Sequence, residues 1–193
     1  MDKQMLRQSL RKALHDIDEE QRRQKSKKVC RNLISTDVFQ KASVVMTYLP
    51  LRHEADTQDS ILSAWQLGKI VVVPKISWQQ RHMLPVRINT LETGFSTDFG
   101  GLRNPITGVP IPFEEIDLVV TPALGFDRNG NRIGRGSSYY DKFFTNSRLG
   151  AVKCGIAFEE QIVDSVPVTP RDVPMDLLVT DEEILYFDDK KGD

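Results

Sequence analysis

Sulfur and histidine are scarce in this chain of 193 residues, and each scarcity excludes a class of protein. It has two cysteines, Cys30 and Cys154, far apart and outside any CxxC motif. Two such cysteines make neither a disulfide framework nor a zinc ribbon. Their apolar, periodic surroundings point to buried free thiols and a reducing cytosol. The three histidines are scattered, and His53-Glu54 lacks the second histidine of a zinc-protease helix, so zinc is not expected. No basic excess exists either: the formal net charge is -1, which argues against a dedicated nucleic-acid binder. No run approaches ~20 apolar residues, so no membrane span is expected. The first twenty residues carry charge throughout and do not read as a signal peptide. Standard phosphate motifs fail as well. Gly68-Lys69 is followed by Ile70, so it is no P-loop, and GRGSSY puts tyrosine where GxGxxG needs its third glycine. Arg132 occupies the glycine position of a calcium loop in DRNGNR, which reads better as a polar hairpin.

What is present is an ordinary globular mix, 39% apolar and 27% charged, with enough length for one substantial core. One domain is expected over 1–193, with helices in 1–35 packed on it and a solvated tail at 188–193. Leu6, Leu10 and Leu14 recur every four residues and predict a helix over 2–15. Asp16 or Asp18 caps a second helix through about residue 34. Short apolar runs at 43–50, 70–74, 117–122, 151–158, 177–180 and 184–187 read as strands. A further strand at 82–88 contains Pro85, which confines it to an edge. Residues 57–67 and the stretch after Gly136 read as helices, and 90–113 mostly as loop. Strands alternating with helices favour an α/β fold, a three-layer α/β/α arrangement around a mainly parallel sheet. Ligands in such folds sit beyond the carboxyl ends of the strands. The turn after DLVVTP falls there.

That turn leads into RIGRGSSYYDKFF, residues 132–144. Its glycines permit positive φ and close backbone approach. The start of the following helix, with Arg132 and Arg135, offers donors to an anion. Asp141 in the first helical turn stabilises the helix, or holds magnesium together with phosphate oxygens. A plain turn and cap, with Tyr140, Phe143 and Phe144 as core, explains the stretch equally well. Lys3, Arg7 and Arg11 form a basic stripe that is a solvated face, unless the helix folds over the loop and makes Lys3 and Arg7 phosphate clamps. Glu54, just past a strand end, either meets an amino-substituted heterocycle or starts a helix. Asp172 and Asp176 lie in a polar loop, from which Asp176 could join Asp141 at a metal.

Taken jointly and in order, these segments resemble the 5-formyltetrahydrofolate cyclo-ligase family. The resemblance runs from Lys3-x-x-Leu6-Arg7 through YLPLRHEADT, IVVVP and DLVVTPALGFDRNGNRIGRGSSYYDKFF to DVPMDLLVT. It implies ATP-dependent cyclisation of 5-formyltetrahydrofolate to 5,10-methenyltetrahydrofolate, with ATP as co-substrate and Mg2+ as cofactor. It implies ATP contacts at Lys3, Arg7, Arg132, Gly134, Arg135, Gly136, Ser137, Ser138, Tyr139 and Tyr140. Leu49, Glu54, Arg135 and Tyr139 would contact the folate, Arg135 would stabilise the transferring phosphate, and Asp141 and Asp176 would hold magnesium. The chain departs from the family pattern at Ser138, where a third loop glycine is usual, and more mildly at Ser137. It also departs at Arg171, usually histidine, and at Asn104 of Asn104-Pro105, usually glutamate. A cytoplasmic monomer acting on small molecules is expected, with neither nucleic acid nor membrane as partner. Two rivals remain at this point. One is a paralogue that binds folate or nucleotide without turnover, motivated by Ser138 and Arg171. The other is a phosphosugar isomerase-like enzyme on the same architecture.

Overall fold

The structure, a computed structural model, describes residues 2–187, so the tail expected at 188–193 lies outside the described residues. The chain begins with α1 (Lys3–Asp16), α2 (Glu19–Ser35), α3 (Asp37–Lys41), β1 (Val44–Met46), α4 (Gln58–Gln66), β2 (Ile70–Ser77) and β3 (His82–Ile88). Then follow β4 (Phe95–Thr97), β5 (Arg103–Pro105), β6 (Leu118–Thr121), β7 (Gly125–Asp127) and β8 (Arg132–Ile133). It closes with α5 (Tyr139–Phe144), β9 (Val152–Ile156), β10 (Ile162–Val163), β11 (Leu177–Val179) and β12 (Ile184–Tyr186). Seven strands form the main sheet in the order β12-β11-β9-β6-β1-β2-β3. The five inner strands run parallel, and β3 and β12 close the edges antiparallel.

The apolar strand runs are continuous because both faces of the sheet are covered. Val45, Val71, Val73, Leu118 and Val120 face the core built by α1, α2 and α4. Their neighbours Val44, Met46, Val72 and Val119 face the opposite way, onto Phe143 and Ala151. Period-two alternation therefore feeds two cores. The layers are unequal: α5 has only six residues, and loops complete its side.

Local signals explain most boundaries. Asp2 caps α1 by accepting from the backbone N–H groups of Gln4 and Met5, and Leu6, Leu10 and Leu14 are its buried stripe. Asp18, not Asp16, caps α2, in a reciprocal capping box with Gln21. Pro85 does lie in an edge strand, opposite Pro74.

Two expectations need correction. The strand expected over 43–50 stops at Met46. Thr47 still donates to the Val72 carbonyl, after which the chain peels away. The Tyr48 hydroxyl donates to the Ala55 carbonyl, and the Thr57 hydroxyl to the Tyr48 carbonyl, so a turn replaces the sheet ladder. The loop expected over 90–113 contains the β4–β5 hairpin. Asn104 in β5 clamps Ile76 of β2: Oδ1 accepts from its N–H at 2.8 Å, and Nδ2 donates to its carbonyl at 3.0 Å.

Candidate functional site

Hairpin β7–β8 sets the position of the glycine-rich stretch. The Asp127 carboxylate is buried and accepts from the backbone of Asn129, Asn131 and Val166 and from the Asn131 amide. Its oxygens are spent on the turn, which explains a polar hairpin here in place of a calcium loop. Gly125 lets the hairpin press against α1: a Cβ there would lie 2.6 Å from Leu10 Cδ1 and 2.8 Å from the Gln161 carbonyl. This contact swings the basic side of α1 over the loop. Arg7 Nε donates to the Gly134 carbonyl at 3.0 Å, so the solvated-face reading fails for Arg7, and for Lys3 as described below. Arg11 stays exposed.

A cavity of about 430 Å³ opens at the carboxyl ends of β1, β2 and β6. Lys3, Arg7, Leu49, Glu54 and every residue from Arg132 to Asp141 line it. The fold thus brings together all the expected ATP and folate contacts. Three ion pairs span the wall. Lys3 Nζ lies 2.6 Å from Asp172 Oδ2. Arg132 Nη2 lies 2.6 Å from Asp141 Oδ1. Arg135 donates through Nε and Nη2 to Glu54 Oε1 at 3.1 and 3.0 Å, while Glu54 Oε2 accepts from the Leu51 N–H at 2.9 Å.

Ser138 has φ 52 and ψ 28, a left-handed conformation at the start of α5. A residue with a Cβ pays roughly 1–2 kcal/mol there, and the Ser138 side chain makes no capping bond in return. Gly136 nearby has φ 115. The backbone therefore keeps the shape that glycine would give it. The helix behind, α5, has only six residues, so its dipole adds little there. Tyr139 lines the cavity, edge-on to Trp78 with ring centroids 6.0 Å apart. Tyr140 packs beneath Arg132, 5.7 Å from ring to guanidinium. Burial, with the charge of Glu54 adding to it, pushes the Tyr140 hydroxyl far above its usual range, so it stays protonated. Phe143 is core, so the aromatic triplet divides between the two readings.

Asp176 is a correction. It does not line the cavity, and its Oδ2 accepts from Lys153 N–H at 2.7 Å and pairs with Lys153 Nζ at 2.9 Å. It sits at the amino end of β11, whereas the cavity opens at carboxyl ends of the parallel strands. Asp172 takes its place at the wall. Burial works against the Asp172 carboxylate, but donation from Lys3 and Thr169 holds it below its ordinary range. Among the described residues no cluster of three potential metal ligands forms. A metal here would draw most of its ligands from phosphate oxygens and water, as magnesium commonly does.

Sequence reasoning missed Trp78, Leu102 and Arg103, which also line the cavity. They arrive through the β2–β3 and β4–β5 connections, whose proximity depends on the Asn104 clamp and carries no local signal. Asp98 helps join these segments, accepting from Trp78 Nε1 at 2.8 Å and from Asn104 Nδ2 at 2.9 Å. Arg171 is exposed and does not line the cavity.

Comparison with known proteins identifies the family. The model of the 5-formyltetrahydrofolate cyclo-ligase family matches residues 1–181. The mouse 5-formyltetrahydrofolate cyclo-ligase is 28% identical, with 96% of this chain and 94% of that protein covered. The Haemophilus influenzae protein of the same name is 27% identical, over 92% and 97%. The solved structure of Aquifex aeolicus 5,10-methenyltetrahydrofolate synthetase superimposes with a TM-score of 0.83 at 28% identity, covering 100% of this chain and 96% of its own. A Mycoplasma pneumoniae 5,10-methenyltetrahydrofolate synthetase shares the fold, with a TM-score of 0.75 at 21% identity, over 94% of this chain and 99% of its own. With the family pattern spanning nearly the whole chain and its loop folded into one cavity wall, this protein belongs to the 5-formyltetrahydrofolate cyclo-ligase family.

Proposed function

We propose that the protein catalyses ATP-dependent cyclisation of 5-formyltetrahydrofolate to 5,10-methenyltetrahydrofolate, releasing ADP and phosphate. The observation that carries this reading is one cavity wall joining Lys3, Arg7, Arg132 and Arg135 to Glu54. Cations suited to a triphosphate thus adjoin a buried carboxylate suited to an amino-substituted heterocycle.

In this reading the formyl oxygen attacks the γ-phosphorus and the bond to ADP breaks. The second folate nitrogen then attacks the activated carbon, a carbon–nitrogen bond forms, that nitrogen gives up its proton to solvent, and phosphate leaves with the former formyl oxygen. No protein nucleophile is required, so catalysis reduces to positioning and charge stabilisation. Lys3 and Arg7 hold the nucleotide with the loop N–H groups between Gly134 and Tyr140. Glu54 accepts hydrogen bonds from the folate ring, with Leu49 and Tyr139 against it. Arg135, at the junction, meets the transferring phosphoryl group.

Magnesium supplies charge neutralisation on the phosphates when bound. Asp141 and Asp172 are the carboxylates that would hold it, Asp172 replacing Asp176 in that role. We take a monomer as the acting unit. The buried, unpaired thiols of Cys30 and Cys154 support a reducing, cytoplasmic setting.

The test is direct. Purified protein given ATP, magnesium and 5-formyltetrahydrofolate is expected to generate methenyl-folate absorbance at a rate proportional to enzyme. No rise under those conditions, with the protein folded, overturns the reading.

A further inference from the structure

We infer that the Arg135–Glu54 ion pair is a latch that couples the two ligand sites, so that nucleotide and folate each tighten the other's binding. The inference rests on the reading above, in which Arg135 meets phosphate and Glu54 meets the folate ring.

The two partners differ in setting. Glu54 has only 7% of its side chain exposed, whereas Arg135 has 43%. Glu54 is therefore the fixed member, further held by the Leu51 N–H on Oε2. Arg135 is the member with solvent to move into. Both of its donors fall on Oε1, and a carboxylate oxygen accepts about two hydrogen bonds. A heterocycle donating to both carboxylate oxygens must displace the arginine. A phosphoryl group that recruits the arginine leaves the carboxylate.

Each ligand alone strands a charge. Folate alone leaves Arg135 without its partner. Nucleotide alone leaves Glu54 buried and without a counter-charge, an unfavourable state. With both bound, Arg135 has phosphate and Glu54 has ring donors. Whichever ligand binds first opens the latch, and the second binds to a site already open. The coupling is reciprocal by thermodynamic linkage. The other cations of the wall do not bridge the two sites in this way: Lys3 pairs with Asp172 and Arg132 with Asp141.

The experiment is equilibrium binding to the full chain, by calorimetry, with magnesium present. The dissociation constant of 5-formyltetrahydrofolate is measured alone and with a saturating non-hydrolysable ATP analogue, then the reverse. In the wild type each ligand is expected to tighten the other by the same factor, about tenfold. In Arg135→Gln the factor is expected to fall to about one, because the latch is gone. That variant should bind 5-formyltetrahydrofolate alone at least as tightly as the wild type does, because in the latch Arg135 competes with the folate for Glu54 and does not make the folate contact that the family resemblance implied for it. Equal affinities with and without the analogue in the wild type would overturn the latch while leaving the proposed activity standing. So would markedly weaker folate binding by Arg135→Gln, which would mark the arginine as a direct folate contact. If the wild type binds neither ligand, the proposed activity itself falls, and the latch with it.

Discussion

Arg132 reaches Asp141 at 2.6 Å with only 5% of its side chain exposed, so the carboxylate proposed above to hold magnesium is the counter-ion of a buried guanidinium. Among the described residues Arg132 Nε has no hydrogen-bond partner, so the pair with Asp141 rests on Nη2. Removing one member of a buried pair strands the other, at about 3–5 kcal/mol. Asp141→Ala is therefore expected to lose stability along with activity. Asp141→Asn, which keeps an acceptor for Arg132, should retain most of the stability yet lose most turnover. Urea unfolding beside steady-state rates checks this. Equal stability losses in the two variants would show that the pair's charge carries the stability.

Arg135→Ala should separate the two properties differently. Its side chain is the exposed member of its pair, and its removal leaves Glu54, only 7% exposed, without a counter-charge, a cost smaller than for Arg132, whose partner is also mostly buried. A group that stabilises transferring charge is commonly worth about 10²–10³ in rate. The expected result is a loss of that order in kcat, with a melting temperature lowered less than in Arg132→Ala. A stability loss matching that of Arg132→Ala would assign Arg135 a structural role instead.

Ser138→Gly tests the strained backbone. Relief of the left-handed conformation gains about 1–2 kcal/mol, and the greater freedom of glycine in the unfolded chain offsets roughly 0.5–1 of it. A net gain on the order of 0.5–1 kcal/mol with activity retained is expected. Ser138→Ala should not gain, because alanine keeps the Cβ. A gain of equal size in both variants would place the effect elsewhere.

His53 makes stability depend on pH. Its Nδ1 lies 3.3 Å from Arg22 Nη2, and its ring centroid 5.8 Å from that of His15. Partial burial lowers its affinity for a proton, and Arg22, Arg52, His15 and Arg135 add to the effect. The folded protein therefore binds this proton less readily than the unfolded chain. Stability is expected to fall as pH drops below the usual histidine value of about 6.5. Comparing melting temperatures between neutral and mildly acidic buffer, His53→Gln should show a shallower loss than wild type. An unchanged slope would assign the acid sensitivity to other groups.

Periodic and short-range features were legible from sequence because their causes are local. The leucine stripe of α1, the Asp18 cap, the Gly68 stop after α4 and the strands around DLVVTP each follow from residues within one turn or one strand. The loop from Arg132 to Asp141 was legible through its resemblance, and its place beyond β6 through the strand pattern. What escaped depends on long-range pairing. Tyr48 to Pro50 are as apolar as a strand, yet hydrogen bonds to Ala55 and Thr57 turn them aside. Asp172 and Asp176 are equally polar neighbours in one loop, and only Lys3 and Lys153, arriving from distant segments, sort them. Asn104 shows the same limit. Its amide donates to and accepts from Ile76, a role that a carboxylate cannot fill because it has no donor.

The most direct measurement of the central claim is initial-rate formation of methenyl-folate by wild type, with and without ATP. The account predicts turnover that requires both ATP and 5-formyltetrahydrofolate and collapses in Arg135→Ala. Absence of turnover in folded wild-type protein, or turnover that persists undiminished without ATP, would contradict it.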